Sequence, residues 1–427
     1  MKRKLIAAIG VAGMLISVAA CGSDDKDEKP KTGAGGKTDF KGQTLTFWAM
    51  DGSTPDAWLA DLTKEFEAKT GATLKYEKQA WNGIQQKLTT ALSEDSPPDV
   101  FEIGNTQTPA YAKTGGLAEL GDIKQAIGAD WTENLNKASV FEGKQYAAPW
   151  YFANRVVVYN KKVFAEAGIT APPKTRAEFY AALDKLKAKG KEPIYLPGQN
   201  WYHFVGLVIG QGGELVKKDG DKWVSNLEDP KVVAAAEEYK KMQAYSKAPK
   251  DKDEATPQQA DVFAKGNVGA FIGMGWEGAT AIKANPAIEK DLGYFTIPGE
   301  TADKPEGVFL GGSNVAVAQN SKNKELAKEF LKLLLSDKYE GGLAKASGVI
   351  PNKESLNSNL TGNPVAEAAA PSAKFGGTTP LIAEWAAVEN EPNPIKTYLT
   401  AVVSGKSPAD AAKQVEGEFN KRLAQKQ

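Results

Sequence analysis

Nine tryptophans stand in the 427 residues, and five of them, Trp48, Trp81, Trp150, Trp201 and Trp276, fall at the ends of expected strands or in loops. An indole face matches the C–H face of a pyranose ring. The ring is also rigid, so little entropy is lost when it binds, and a stack contributes on the order of 1 kcal/mol beyond area burial, by analogy with aromatic pairs. Core packing is the competing role for each ring, and Trp58, Trp131 and Trp223 are read as structural. Sugar hydroxyls also need paired donors and acceptors. The candidates are Asp51, Asn105, Gln107, Asn154, Glu277, Ser313 and Asn314, with Tyr151 next to Trp150. Arg155 has two readings, a polar contact or a brace between domains.

Other chemistries find less support. His203 is the only histidine, and there is one cysteine, so no metal-site cluster and no cofactor is expected. A Ser-His-Asp triad lacks its G-x-S-x-G elbow. Gly273-x-Gly275-x-x-Gly278 has dinucleotide-fingerprint spacing between a strand and a helix. It lacks the early βαβ setting and the acidic residue after the next strand. A glycoside-active enzyme would need two carboxylates about 5–10 Å apart across the scissile bond. Asp51 and Glu277 are the pair available for that alternative. A polyamine site would want several carboxylates around an aromatic box, whereas these candidates are richer in Trp and amides and favour a neutral sugar.

The lone cysteine carries its own message. Lys2-Arg3-Lys4, an apolar run from Leu5 and the small residues Val18-Ala19-Ala20 before Cys21 make a secretory signal peptide. The run Leu5 to Ala20 is shorter than the ~20 residues that span a bilayer. An aliphatic residue, two alanines and Cys resemble a bacterial lipobox, which implies a lipidated Cys21 as the mature N-terminus. Residues 22–41 are rich in Asp, Lys, Gly and Thr and read as a tether. Lys+Arg and Asp+Glu both number 53, and losing Lys2, Arg3 and Lys4 leaves a slightly acidic body. That balance gives no reason to expect nucleic acid, which wants a basic face. A single cysteine has no partner for an internal disulfide, so the body relies on its core.

The elements that must position the candidate residues follow from periodicity. Gln43 to Ala49 alternates as a strand. Ala57 to Thr70 has helical spacing and ends at Gly71. Thr73 to Lys78 is a strand, Asn82 to Leu92 a helix, and Asp99 to Glu102 a short strand after Pro97-Pro98. This βαβαβ order predicts a parallel sheet, with ligands beyond the carboxyl ends of its strands. Those ends carry Trp48 and Asp51, then Trp81, then Asn105 and Gln107. A second α/β region begins near Trp150, with strands at Arg155–Tyr159, Ile194–Leu196, Val268–Ile272 and Leu292–Ile297. Thr175 and Glu178 form a capping box for a helix to Lys189. Asn314–Ala318 is a further strand. From Lys324 the chain is mostly helical, with a Gly/Pro-rich interruption around 351–380.

Several segments together resemble a known family. Tyr146-Ala-Ala-Pro-Trp-Tyr-Phe-Ala-Asn-Arg-Val-Val-Val-Tyr-Asn-Lys161 is similar to the interdomain crossing of the family-1 extracellular solute-binding proteins, the maltose-binding-protein-like sugar receptors of ABC importers. Pro98-Asp99-Val-Phe-Glu102 resembles the "PDV" strand of that family. Phe263 to Trp276 resembles its "F..G..AM...G.W" segment, Gly311-Gly-Ser-Asn314 its late loop, and Ser347-Gly-Val-Ile-Pro351 its "G..P" turn. The order of these segments covers nearly all of the mature chain.

The resemblance implies an α/β, two-lobe periplasmic-binding-protein-like fold with crossed connectivity and a hinge between the lobes. Lobe 1 would take 42–150 plus 299–350, and lobe 2 would take 151–298 plus 351–427. Trp276 and Trp201 match sugar-contacting positions of the family. Asn105-Thr106-Gln107 departs from the Trp of maltose receptors, which points to a sugar read by amides. The whole-chain pattern is most similar to actinobacterial receptors for N-acetylglucosamine and chitobiose-type sugars. The implied protein is a monomer and not an enzyme. It is lipid-anchored at the extracellular face of the cell membrane, and its partners are a carbohydrate and an ABC permease with a cytoplasmic ATPase.

Overall fold

A computed structural model describes residues 39–81 and 83–425. Cys21 and the tether up to residue 38 lie outside the described residues.

The first helix illustrates how local sequence sets the elements. Trp58, Leu62 and Phe66 recur at helical spacing in Asp56–Thr70 and are buried together. Gly71 ends this helix in the left-handed conformation, at φ 72°, where a side chain would be strained. The helix returns the chain to the strand Thr73–Gln79, parallel to Thr44–Met50. The same logic places Val100–Gly104 parallel on the other side of Thr44–Met50. Reversal of strand order at Thr44–Met50 opens a crevice at the carboxyl ends, where ligands bind in such sheets.

The sheet is mixed rather than wholly parallel. Gly311–Val317 pairs antiparallel with both Val100–Gly104 and Ala148–Ala153, and Ile350–Pro351 closes the edge. A second, four-stranded sheet has the order Leu292–Phe295, Val156–Asn160, Val268–Gly273, Glu192–Tyr195. The chain therefore leaves the first sheet after Ala153 and enters the second at Val156, and only Asn154 and Arg155 lie between. It returns between Phe295 and Gly311. The expected boundary at Trp150 falls inside a strand of the first sheet. The register with Gly311–Val317 carries that strand on to Ala153.

Each sheet has its own core. Phe47, Phe66, Trp150, Phe330 and Tyr339 pack under the first. Val157, Phe204, Phe271, Trp385, Tyr398 and Phe419 pack around the second, so the C-terminal helices belong with that lobe. The Thr175–Glu178 capping box opens the helix Arg176–Ala188 as expected. Among the features not foreseen are the hairpin Val216–Asp219 with Lys222–Ser225, the helix Gly121–Ile127, and a helix, Pro364–Ala373, inside the Gly/Pro-rich interruption.

Candidate functional site

A cleft of about 1790 Å³ opens between the two sheets. The carboxyl ends of the parallel strands supply Asp51, Ser53, Trp81, Asn105 and Gln107, and the antiparallel strands add Tyr151 and Ser313. The facing wall comes from Asn154, Arg155, Tyr202, Trp276, Phe309 and Glu389. Eight of the thirteen expected contacts line this cleft: Asp51, Trp81, Asn105, Gln107, Tyr151, Asn154, Trp276 and Ser313.

Trp81 and Trp276 stand out by exposure. They are the large apolar side chains left open among the described residues, at 47% and 56% of their surface. They come from opposite walls. Trp276 opens the helix Trp276–Ala284 just after a strand of the second sheet, and Trp81 follows a strand of the first. An exposed indole in a cleft is apolar surface awaiting a partner.

The polar groups are held in place from behind. Asn105 donates its amide to the Leu310 carbonyl at 2.9 Å, tying the end of its strand to the chain's return crossing. Gln107 donates to Glu389 at 2.7 Å, and the same carboxylate accepts the Tyr202 hydroxyl. Burial raises the Glu389 carboxyl above its ordinary value, and the hydroxyl and amide donors oppose that rise. Asn154 donates to the Ala369 carbonyl at 3.3 Å and leaves its buried side-chain oxygen without a protein partner. Asp51 is exposed and pairs with Lys78 at 3.1 Å. Ser313 and Tyr151 both donate to Glu102 beneath the floor.

Five expected contacts are not in the cleft, each for a physical reason. Trp150 is fully buried, with its ring centroid 5.1 Å from Tyr151 and 6.2 Å from Phe47. Successive strand residues point to opposite faces, so Tyr151 takes the cleft and Trp150 the core. Trp48 lies on the sheet face opposite Phe47, under the Lys87 ammonium at 4.8 Å from the ring centroid. Trp201 is buried and stacks on Tyr202 with centroids 3.8 Å apart. Tyr202 in turn stacks on Phe309 at 4.7 Å, so this aromatic segment presents Tyr202 to the cleft. Asn314 is buried and donates to Thr108 at 2.9 Å.

Glu277 is the fifth. It is buried behind its turn, accepting the Met274 amide at 2.7 Å and the Gln259 amide at 2.9 Å. Burial pushes its carboxyl up to about 7. It fixes the turn that presents Trp276 and does not face Asp51 across the cleft, which removes the paired-carboxylate arrangement. The glycine spacing of this turn has a packing cause. A Cβ on Gly275 would meet Val365 at 1.9 Å, and one on Gly278 would meet the Tyr294 hydroxyl at 2.0 Å. His203 is buried in the helix Trp201–Gly210, and burial pushes its imidazole down to about 3, so it stays neutral.

Sequence reasoning missed Glu102, Ser53, Tyr202, Phe309 and Glu389. Only Tyr202 carried a signal, as the neighbour of a flagged Trp. The others matter through partners that are distant in sequence.

This geometry, two α/β lobes joined by crossed strands around an aromatic and amide-lined cleft, defines a two-lobe binding protein. Residues 51–341 match the model of the bacterial extracellular solute-binding proteins, and the chain belongs to that family. It is a solute receptor and not an enzyme. Over the full length of both chains it is 76% identical to the diacetylchitobiose binding protein DasA of Streptomyces coelicolor. Its fold is similar to the sugar-binding protein MalE from Xanthomonas citri, with TM-score 0.78 and 22% identity over 90% of this chain and 98% of that one. The GacH receptor of Streptomyces glaucescens, solved unliganded and with acarbose, superposes with TM-score 0.75 and 25% identity over 90% and 99% of the two chains.

Proposed function

We propose that this chain is the extracellular receptor of an ABC sugar importer and that its ligand is diacetylchitobiose or a close N-acetylglucosamine oligosaccharide. One observation carries the reading: two exposed tryptophans face one cleft from opposite lobes, above a floor of hydroxyls and amides. Stacking supplies affinity for the sugar rings, and the polar floor reads their substituents. The similarity to a diacetylchitobiose binding protein supports the choice of sugar.

In this reading Trp81, Trp276, Tyr151, Asn154, Gln107, Asp51 and Ser313 contact the ligand. Asn105 contributes mainly by holding the strand end. The two lobes close on the sugar about the crossing at Asn154 and Arg155. A closed monomer, tethered by lipidated Cys21 at the outer face of the cell membrane, then presents both lobes to the permease.

Calorimetric titration of the purified full chain tests the sugar. Diacetylchitobiose should bind at least about ten-fold more tightly than cellobiose, which has hydroxyls where the first has acetamides. No heat with diacetylchitobiose, or equal affinity for both, would overturn the reading.

A further inference from the structure

The floor of the cleft is organised by a carboxylate that does not reach the cleft. Glu102, on the strand Val100–Gly104, is fully buried. One of its oxygens accepts the Met50 amide at 2.7 Å. The other accepts three hydroxyls: Ser53 at 2.9 Å, Tyr151 at 2.8 Å and Ser313 at 2.5 Å. These three residues come from separate stretches of chain, and all line the cleft.

An ionised carboxylate only accepts, and each hydroxyl has one proton to give. Burial pushes the Glu102 carboxyl up, while the four converging donors favour its charged form. Burial and the neighbouring Glu102 push the Tyr151 phenol far above its ordinary value, so it keeps its proton. The Ser53 and Ser313 hydroxyls also lie 2.8 Å and 3.2 Å from the Tyr151 hydroxyl, so every hydroxyl proton stays within the cluster, on Glu102 or on Tyr151. What remains for the cleft is lone pairs.

We propose that Glu102 is a positioning residue that makes Ser53, Tyr151 and Ser313 an acceptor-only floor, which selects a ligand presenting an obligate donor there, the N–H of an acetamido group. This rests on the sugar reading and deepens it. An amide nitrogen donates and does not accept. An ester oxygen in the same place would set acceptor against acceptors and leave buried groups unpaired, the kind of mismatch that a polar site rejects strongly.

The test uses a matched pair of ligands: diacetylchitobiose and the same disaccharide with both acetamides replaced by O-acetyl esters. Calorimetry of the wild-type full chain should show the amide sugar bound at least about ten-fold more tightly than the ester. In E102Q the amide oxygen must keep the Met50 amide, so the –NH2 faces the three hydroxyls; they lose their shared acceptor, and hydroxyl protons are released toward the cleft. The preference should shrink at least about three-fold, with the melting temperature little changed. Wild-type affinities within two-fold of each other, about the scatter of such a comparison, would overturn the acceptor floor while leaving the sugar reading standing. Binding of neither sugar would overturn that reading itself. An unchanged ratio in folded E102Q would overturn the role of Glu102. If E102Q fails to fold, S313A removes one acceptor and should weaken the amide sugar more than the ester; equal losses would contradict the proposal.

Discussion

Trp81 and Trp150 are the same residue type in the same lobe, yet one is half exposed and the other fully buried. Their mutational signatures should separate accordingly. W276A and W81A should each weaken sugar binding by about 1–3 kcal/mol, combining lost stacking and lost burial, with melting temperatures close to wild type. W150A should cost about 3–5 kcal/mol of stability, because the indole sits among Phe47, Trp58 and Tyr151. Calorimetry and thermal melts on the same samples check both statements. Unchanged affinity in W276A with a large drop in melting temperature would assign that ring to structure. Which indole faces which way was not legible in the sequence. Trp150-Tyr151 and Trp201-Tyr202 each put two large rings side by side, and only the pairing of distant strands and helices decides which one turns inward.

At the scale of elements, the turn from Gly273 to Trp276 is held by Glu277, whose carboxyl is pushed to about 7 from an ordinary 4.5. The fold therefore keeps a proton that the unfolded chain releases between those two values. The stability this provides is full below about pH 4.5 and fades as pH rises through 7. E277Q has no such proton to lose, so its stability relative to wild type should improve by on the order of 2 kcal/mol between pH 5 and pH 8. Denaturant melts at the two pH values check this, and an equal difference at both would refute it. The elements themselves were largely readable, since alternation, helical spacing and the Thr175 cap are local signals. The sheet was read as parallel from its first three strands. Its antiparallel half comes from Ala148–Ala153 and Gly311–Val317, which meet across more than 150 residues and leave no local mark. Glu102 was legible as a strand residue and not as the centre of the floor, because its hydroxyl partners are brought to it by the same distant pairing.

At the scale of the whole molecule, two lobes joined through Asn154 and Arg155 can respond to a ligand that touches both. Such a ligand stabilises the closed state by its differential affinity for it. Small-angle scattering should show a smaller radius of gyration with saturating diacetylchitobiose, and an unchanged radius would argue for a preformed site. Cys21→Ser should release the chain from the membrane fraction and leave sugar binding intact; retention of an acyl chain would refute the anchor. The most direct measurement is a crystal structure of the chain with diacetylchitobiose. The sugar should lie between the lobes, with ring faces on Trp81 and Trp276 and an acetamide N–H directed at Ser53, Tyr151 or Ser313. A sugar held by one lobe alone, or bound outside this cleft, would contradict the account.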